Sequence, residues 1–219
     1  MEPIKDIVNI IFPSPTLILC IWSLIVVTCI CGDYLLLLVS DTDWLGNGHI
    51  VRSVIDSSIH AIVSVLVWAV VENFEHLNDF RKWQNCACCA VLAVAVDTDH
   101  FLAAGSLDFR KALNLTKRPC FHNTSLILAV VALCLIMRQY IPALKMFSVM
   151  FLSSWLSHHL RDAGHRGLWV FPFGHTPVFP SYLYIALTLL LTVLVRIIYC
   201  VAFNTGFHLN THLFEILNV

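Results

Sequence analysis

The residues best equipped for chemistry lie in one stretch, residues 157–172, which reads S-H-H-L-R-D-A-G-H-R-G-L-W-V-F-P. It follows directly on the apolar run 147–156. His158 and Asp162 are four apart, and His159 and Asp162 are three apart. On a helix such residues share a face. His165 falls seven after His158, on the same stripe. Imidazoles and a carboxylate on one face, at the end of a membrane-length segment, point to metal ligation rather than packing.

Four further polar clusters stand in or beside apolar runs: Asp33; Asp56 with His60; Asp97 and Asp99 with His100; and His122. A charge at the centre of a spanning helix costs on the order of 2.5–3.5 kcal/mol on insertion scales. Asp and His without a thiolate suit a borderline divalent cation, zinc or manganese. Asp97, Asp99, His100, His158 and Asp162 are the expected metal ligands. His60 and His122 are candidate ligands or general bases. Arg118 and Arg161, with Arg166 nearby, are candidate holders of a phosphate or carboxylate, because a guanidinium binds such groups bidentately. A bound metal lowers the pKa of a water to about 7, which is the chemistry of hydrolysis.

These residues need a scaffold, and the composition says which kind. Of 219 residues, 58% are hydrophobic and 12% charged, against about 25% charged in soluble domains. The mean hydropathy is +0.80. This predicts an all-α, multi-pass integral membrane bundle, with the lipid bilayer as its surroundings and residues 1–219 as a single membrane domain. A net charge of −1 gives no reason to expect nucleic-acid binding. About 20 apolar residues make a span, which yields six: 16–39, 54–74, 83–105, 121–141, 143–156 and 178–203. The first is read as uncleaved, because Pro13 and Pro15 break a signal-like run. The fifth is short and either tilts little, thins the bilayer or extends through the His158 stripe. Residues 164–180 read as a Gly/Pro/aromatic re-entry, with Trp169, Tyr182 and Tyr184 as interface anchors. The tail, 204–219, reads as a short interfacial helix.

Six alternating spans place the end of the first, the start of the second, the end of the third, the start of the fourth and the end of the fifth at one leaflet. All five polar clusters therefore fall on one side, which predicts one site sunk into the bundle and open to one aqueous face. Orientation is pulled two ways. The basic loop 106–119 argues for a cytoplasmic side, whereas Asn114-Leu-Thr116 in that loop is a glycosylation sequon that needs a lumenal one. Most of the nine cysteines lie in apolar runs and read as small packing residues. Cys86, Cys88 and Cys89 also fit palmitoylation.

Two non-hydrolytic readings stand beside this. A metal-ion or proton transporter would need polar residues reaching the other leaflet, and residues 126–135 and 186–195 offer few. A scaffold would use the polar cluster as interhelical glue.

V-D-T-D-H-F-L-A-A-G-S, R-P-C-F-H-N-T-S and S-H-H-L-R-D-A-G-H-R-G-L-W-V-F-P-F-G, with D-S-S-I-H at 56–60, together resemble the eukaryotic transmembrane protein 267 family. That resemblance carries no activity with it. More distantly, the chain is similar to bacterial inner-membrane proteins described as membrane-bound metal-dependent hydrolases. These carry an early His, then P-D-x-D-H, H-R-x-x-T-H-S and S-H-x-x-x-D segments. This second resemblance implies hydrolysis of a lipid or membrane-adjacent ester or phosphoester, with His60, Asp97, Asp99, His100, His122, His158 and Asp162 as the metal and catalytic set. The chain departs from the pattern at Val96 and Lys117, where the proline and the first His would stand, and at Asn123. Metal binding without turnover is therefore a second implication.

Overall fold

The computed structural model describes residues 13–40, 48–73 and 79–203. Its helices are α1 (Pro15–Ser40), α2 (Gly48–Glu72), α3 (Phe80–Ala95), α4 (Thr98–Ala104), α5 (Phe109–Leu113), α6 (Thr124–Met137), α7 (Ala143–Arg166) and α8 (Ser181–Phe203). A two-stranded hairpin, β1 (Trp169–Val170) and β2 (Gly174–His175), joins the last two. The expected helix in 204–219 lies outside the described residues, as do His76, His208 and His212.

The helices are apolar on both faces. In α1 a narrow stripe, Ile18, Ile21, Ile25, Cys29 and Leu36, is buried, while Leu19, Leu24, Val27, Ile30 and Leu37 point outward. The same holds for Leu128 and Leu133 on α6 and Leu190 and Leu194 on α8. Water would not solvate so large an apolar surface, and lipid does. The protein is a multi-pass membrane protein. Among the described residues, four helical segments are long and apolar enough to cross a bilayer: Pro15–Val39, Gly48–Glu72, Phe80–Ala104 and Ser181–Phe203. The apolar helix α6 is shorter, at 14 residues. α7 runs 24 residues, straight through Gly164 to Arg166, so the His158 stripe is helical and the expected re-entry begins only after it.

α7 is the central helix, packed against α2, α3, α6 and α8. Small residues let it sit there. Ser148, Ser153, Ser154 and Ser157 are all buried, as expected where membrane helices approach closely. α1 meets α2 at Gly32, where an added Cβ would stand 2.7 Å from Ile59 Cδ1. Polar bonds tie further pairs: Trp22 Nε1 donates to Thr192 Oγ1 at 2.9 Å, and Ser64 Oγ to the Cys89 carbonyl at 3.0 Å.

The third expected span is not continuous. The Asp97 amide bonds the Val94 carbonyl at 3.1 Å and the His100 amide bonds Asp97 at 3.2 Å. These three-residue spacings are a 3₁₀-type tightening between α3 and α4. The break turns Asp97 toward His158 of α7 and Asp99 toward His122. Asp108 caps α5, accepting from the Arg110 amide at 2.9 Å, and Asn123 caps α6, accepting from Ser125 at 3.1 Å.

After α7 the chain reverses at Gly167, with φ +68° and ψ 175°, a region essentially reserved for glycine. A Cβ there would lie 2.1 Å from the Thr176 carbonyl oxygen. Gly167→Ala is expected to cost about 2 kcal/mol or more, from strain and clash together. Thermal unfolding in detergent measures this, and an unchanged midpoint would refute it.

Candidate functional site

The structure brings the predicted polar residues from α2, the α3–α4 break, the turn before α6, and α7 into one place. Four donor atoms face each other. His122 Nε2 is 3.5 Å from Asp97 Oδ1 and 3.4 Å from Asp162 Oδ2. His158 Nε2 is 3.6 Å from Asp97 Oδ1 and 3.8 Å from Asp162 Oδ2. Around a tetrahedral zinc with bonds of about 2.0–2.1 Å, neighbouring donors stand about 3.3–3.4 Å apart. These four separations are close to those around a single zinc, and the donors fall into three overlapping groups able to hold a metal: Asp97, His122 and His158; His60, His158 and Asp162; and Asp99, His100 and His122.

His158 is the strongest sign that something is wanted here. Its side chain is 0% exposed, and neither ring nitrogen has a hydrogen-bond partner. A buried imidazole left unpaired is costly. His60 stacks on it, with centroids 3.7 Å apart and planes at 17°. His60 Nε2 lies 3.4 Å from Asp162 Oδ1 and 3.0 Å from Arg161 Nη1.

Asp99 stands behind His122 rather than among the four atoms. Its Oδ2 accepts from the Phe121 amide at 2.6 Å and lies 3.3 Å from His122 Nδ1. Carboxylates in that position fix the tautomer and ring angle of a ligating histidine. His100 contacts the same group, its ring 5.1 Å from that of His122, edge to face. A carbonyl can only accept, so the 3.0 Å contact of His100 Nδ1 with Ala112 O puts the proton on Nδ1 and leaves Nε2 with its lone pair. His159 is placed apart from the cluster's interior. Its Nε2 donates to Phe121 O at 3.0 Å and its Nδ1 accepts from Thr124 Oγ1 at 3.1 Å, so both nitrogens are in use.

Arg161 faces inward rather than into an open site. It is 1% exposed, and it bonds Asp56 and, at 3.2 Å, Asp33. Tyr184, expected at a membrane interface, is 2% exposed and donates to Asp33, because its buried hydroxyl needs an acceptor and the half-buried carboxylate offers one. Arg118 lies between the two clusters. It donates to the Gly167 carbonyl at 2.9 Å and approaches Asp162 at 3.7 Å. His165, 49% exposed, sits 4.0 Å from Asp33.

A cavity of about 380 Å³ opens onto the donor set. Asp97, His100, His122 and Asp162 line one side, and Arg52, Ser57, Arg166, Phe101 and Phe109 the rest. Sequence reading passed over Arg52, although it precedes Asp56 by four residues and so shares its helix face. Cys86 and Cys89 are buried and Cys88 is exposed. Among the described residues no cysteine joins a group able to hold a metal.

Transmembrane protein 267 of Xenopus laevis is 36% identical over 162 residues, spanning 72% of this chain and 71% of the relative. The chain belongs to the transmembrane protein 267 family. Transmembrane protein 267 of Mus musculus is 34% identical over 166 residues, 74% of this chain and 73% of its own. That of Danio rerio is 35% identical over 143 residues, 63% of this chain and 62% of the relative. No protein-family model matches the chain, and no solved structure does. The name of the transmembrane protein 267 family agrees with the integral membrane character that the outward apolar faces require.

Proposed function

We propose that the protein is a membrane-embedded, divalent-metal-dependent hydrolase acting on a lipid or membrane-adjacent ester or phosphoester at one leaflet. Asp97, His122, His158 and Asp162 would hold the ion, zinc or manganese. The observation that carries the reading is the buried, unpaired His158 beside three further donors at ligand spacing. The ion would supply a nucleophile at neutral pH and polarise the scissile group. The chain's own residues do the rest. Asp99 holds the His122 ring through Nδ1. His60, whose Nε2 accepts from the Arg161 guanidinium, packs against the His158 ring beside Asp162 and holds both in place, so the catalytic role expected for it gives way to a positioning one. The cavity beside them has room for a substrate head group. A single membrane domain carries the whole site.

Elemental analysis of detergent-purified protein tests this. Near-stoichiometric zinc or manganese supports it. Folded protein that neither contains nor takes up either metal refutes it and leaves a scaffold held by polar contacts, a reading favoured by the Arg161–Asp33–Asp56 network. Asp99→Asn is expected to weaken zinc binding about 10–100-fold, the usual cost of losing an outer carboxylate. Competition with a chromogenic chelator reads that loss, and unchanged affinity would remove Asp99 from its role.

A further inference from the structure

The cavity's charge names a ligand class more closely. Of the carboxylates lining it, Asp56 is neutralised from beneath by Arg161. Asp97 and Asp162 are those a divalent cation would balance. Arg52, from the first turns of α2, and Arg166, at the end of α7, line the same cavity, and no ion pair of either occurs among the described residues. With a cation in place, two guanidiniums stay beside it without a counter-ion among the described residues. Including Asp33, Asp99 and Arg118 behind the wall leaves the balance positive with the cation and negative without it.

A second cavity, of about 240 Å³, adjoins the first and shares His100, Leu113 and Arg166 with it. It adds Lys117 and Arg118. Basic groups therefore continue away from the donor set on the side of Arg166. The first cavity also has an apolar part. Phe101 and Phe109 pack edge to face at 5.0 Å, with Leu113 beside them in the lining. Leu102 on α4 and Leu107 in the turn between α4 and α5 are 70% and 87% exposed. A neutral carboxylic ester needs no pair of arginines. A phosphoryl dianion does, because planar guanidinium forks match its oxygens.

We infer that this cavity binds a phosphate monoester, its dianion held between Arg52 and Arg166 and its apolar part against Phe101 and Phe109. The inference rests on the metal-site reading above and narrows its substrate from carboxylic esters and phosphoesters to phosphate monoesters. It also makes anion binding conditional on the cation.

The test is calorimetry on full-length protein in phosphate-free, nonionic detergent, with and without zinc. The probes are inorganic phosphate, dioctanoyl phosphatidic acid and dioctanoyl phosphatidylcholine. Zinc-loaded protein is expected to bind phosphate, phosphatidic acid or both, and zinc-free protein neither. Arg52→Gln and Arg166→Gln, both at exposed positions, are each expected to weaken that binding about tenfold while zinc uptake persists. Phosphatidic acid binding far more tightly than phosphate identifies a lipid source. Equal binding identifies a soluble phosphoester. Zinc uptake with neither probe bound, equal binding of phosphatidylcholine, or arginine variants that bind like wild type would overturn the phosphate assignment alone. Absence of zinc uptake would overturn both this and the hydrolase reading.

Discussion

Arg161→Met is expected to be the most destabilising single change in the bundle, by about 3 kcal/mol. Arg161 is 1% exposed and reaches from α7 to Asp33 on α1 and to Asp56 and His60 on α2. Removing one partner of a buried ion pair typically costs about 3–5 kcal/mol, because the remaining charge is left without its counter-ion. The low end applies here. The Asp56 and Asp33 side chains are 38% and 22% exposed, so water recovers part of the loss. For a chain of this size the shift in the unfolding midpoint is about 6–12 °C. Arg161→Lys keeps the charge but not the fork, and is expected to recover part of the stability. Thermal unfolding in one detergent reads all three proteins. A methionine variant that melts with wild type would show that the network contributes nothing.

That network explains why α7 carries two kinds of residue side by side. Arg161 and Asp162 are adjacent, so on a helix they point about 100° apart. One turns into the α1–α2 interface and the other toward His122 and His158. Close helix packing on one flank and a ligand-ready pocket on the other thus come from consecutive positions.

Much of this was legible in the chain. Hydropathy alone foretold an all-α membrane bundle, because a bilayer demands long apolar helices and little else. The alternation of spans foretold that Asp56, His60, Asp97, His122, His158 and Asp162 would meet. They did so because charged groups at helix ends have only one another and one aqueous face to turn to. What stayed hidden depended on distances that no spacing rule supplies. The rotation of Asp99 behind His122 follows from the 3₁₀ tightening at Val96–Asp97, which the apolar run 83–96 does not announce. The inward turn of Arg161 depended on Asp33, 128 residues away. Tyr184 read as an interface anchor because tyrosine usually is one, and only the three-dimensional neighbour Asp33 made it internal. Arg52 was readable from its spacing to Asp56 but drew no notice beside the histidines.

His158→Phe separates a ligand from a packing residue more sharply than any alanine substitution. The His158 side chain is fully buried, stacked on His60, with both ring nitrogens unpaired. A phenyl ring of similar shape keeps the stack and removes two unsatisfied polar atoms, a change that is often neutral or stabilising. The metal-free variant is therefore expected to melt within about 1 kcal/mol of metal-free wild type. Zinc affinity is expected to fall by more than the roughly 10–100-fold that an outer partner such as Asp99 costs, because a donor atom itself is gone. Stabilisation by added zinc, which follows the ratio of metal concentration to dissociation constant, would vanish with it. Were His158 only a core histidine, the phenylalanine variant would bind zinc as wild type does, or neither protein would bind it. The opposite movement of the two readouts, affinity lost and metal-free stability kept, is what a vacated ligand position predicts and a packing role does not.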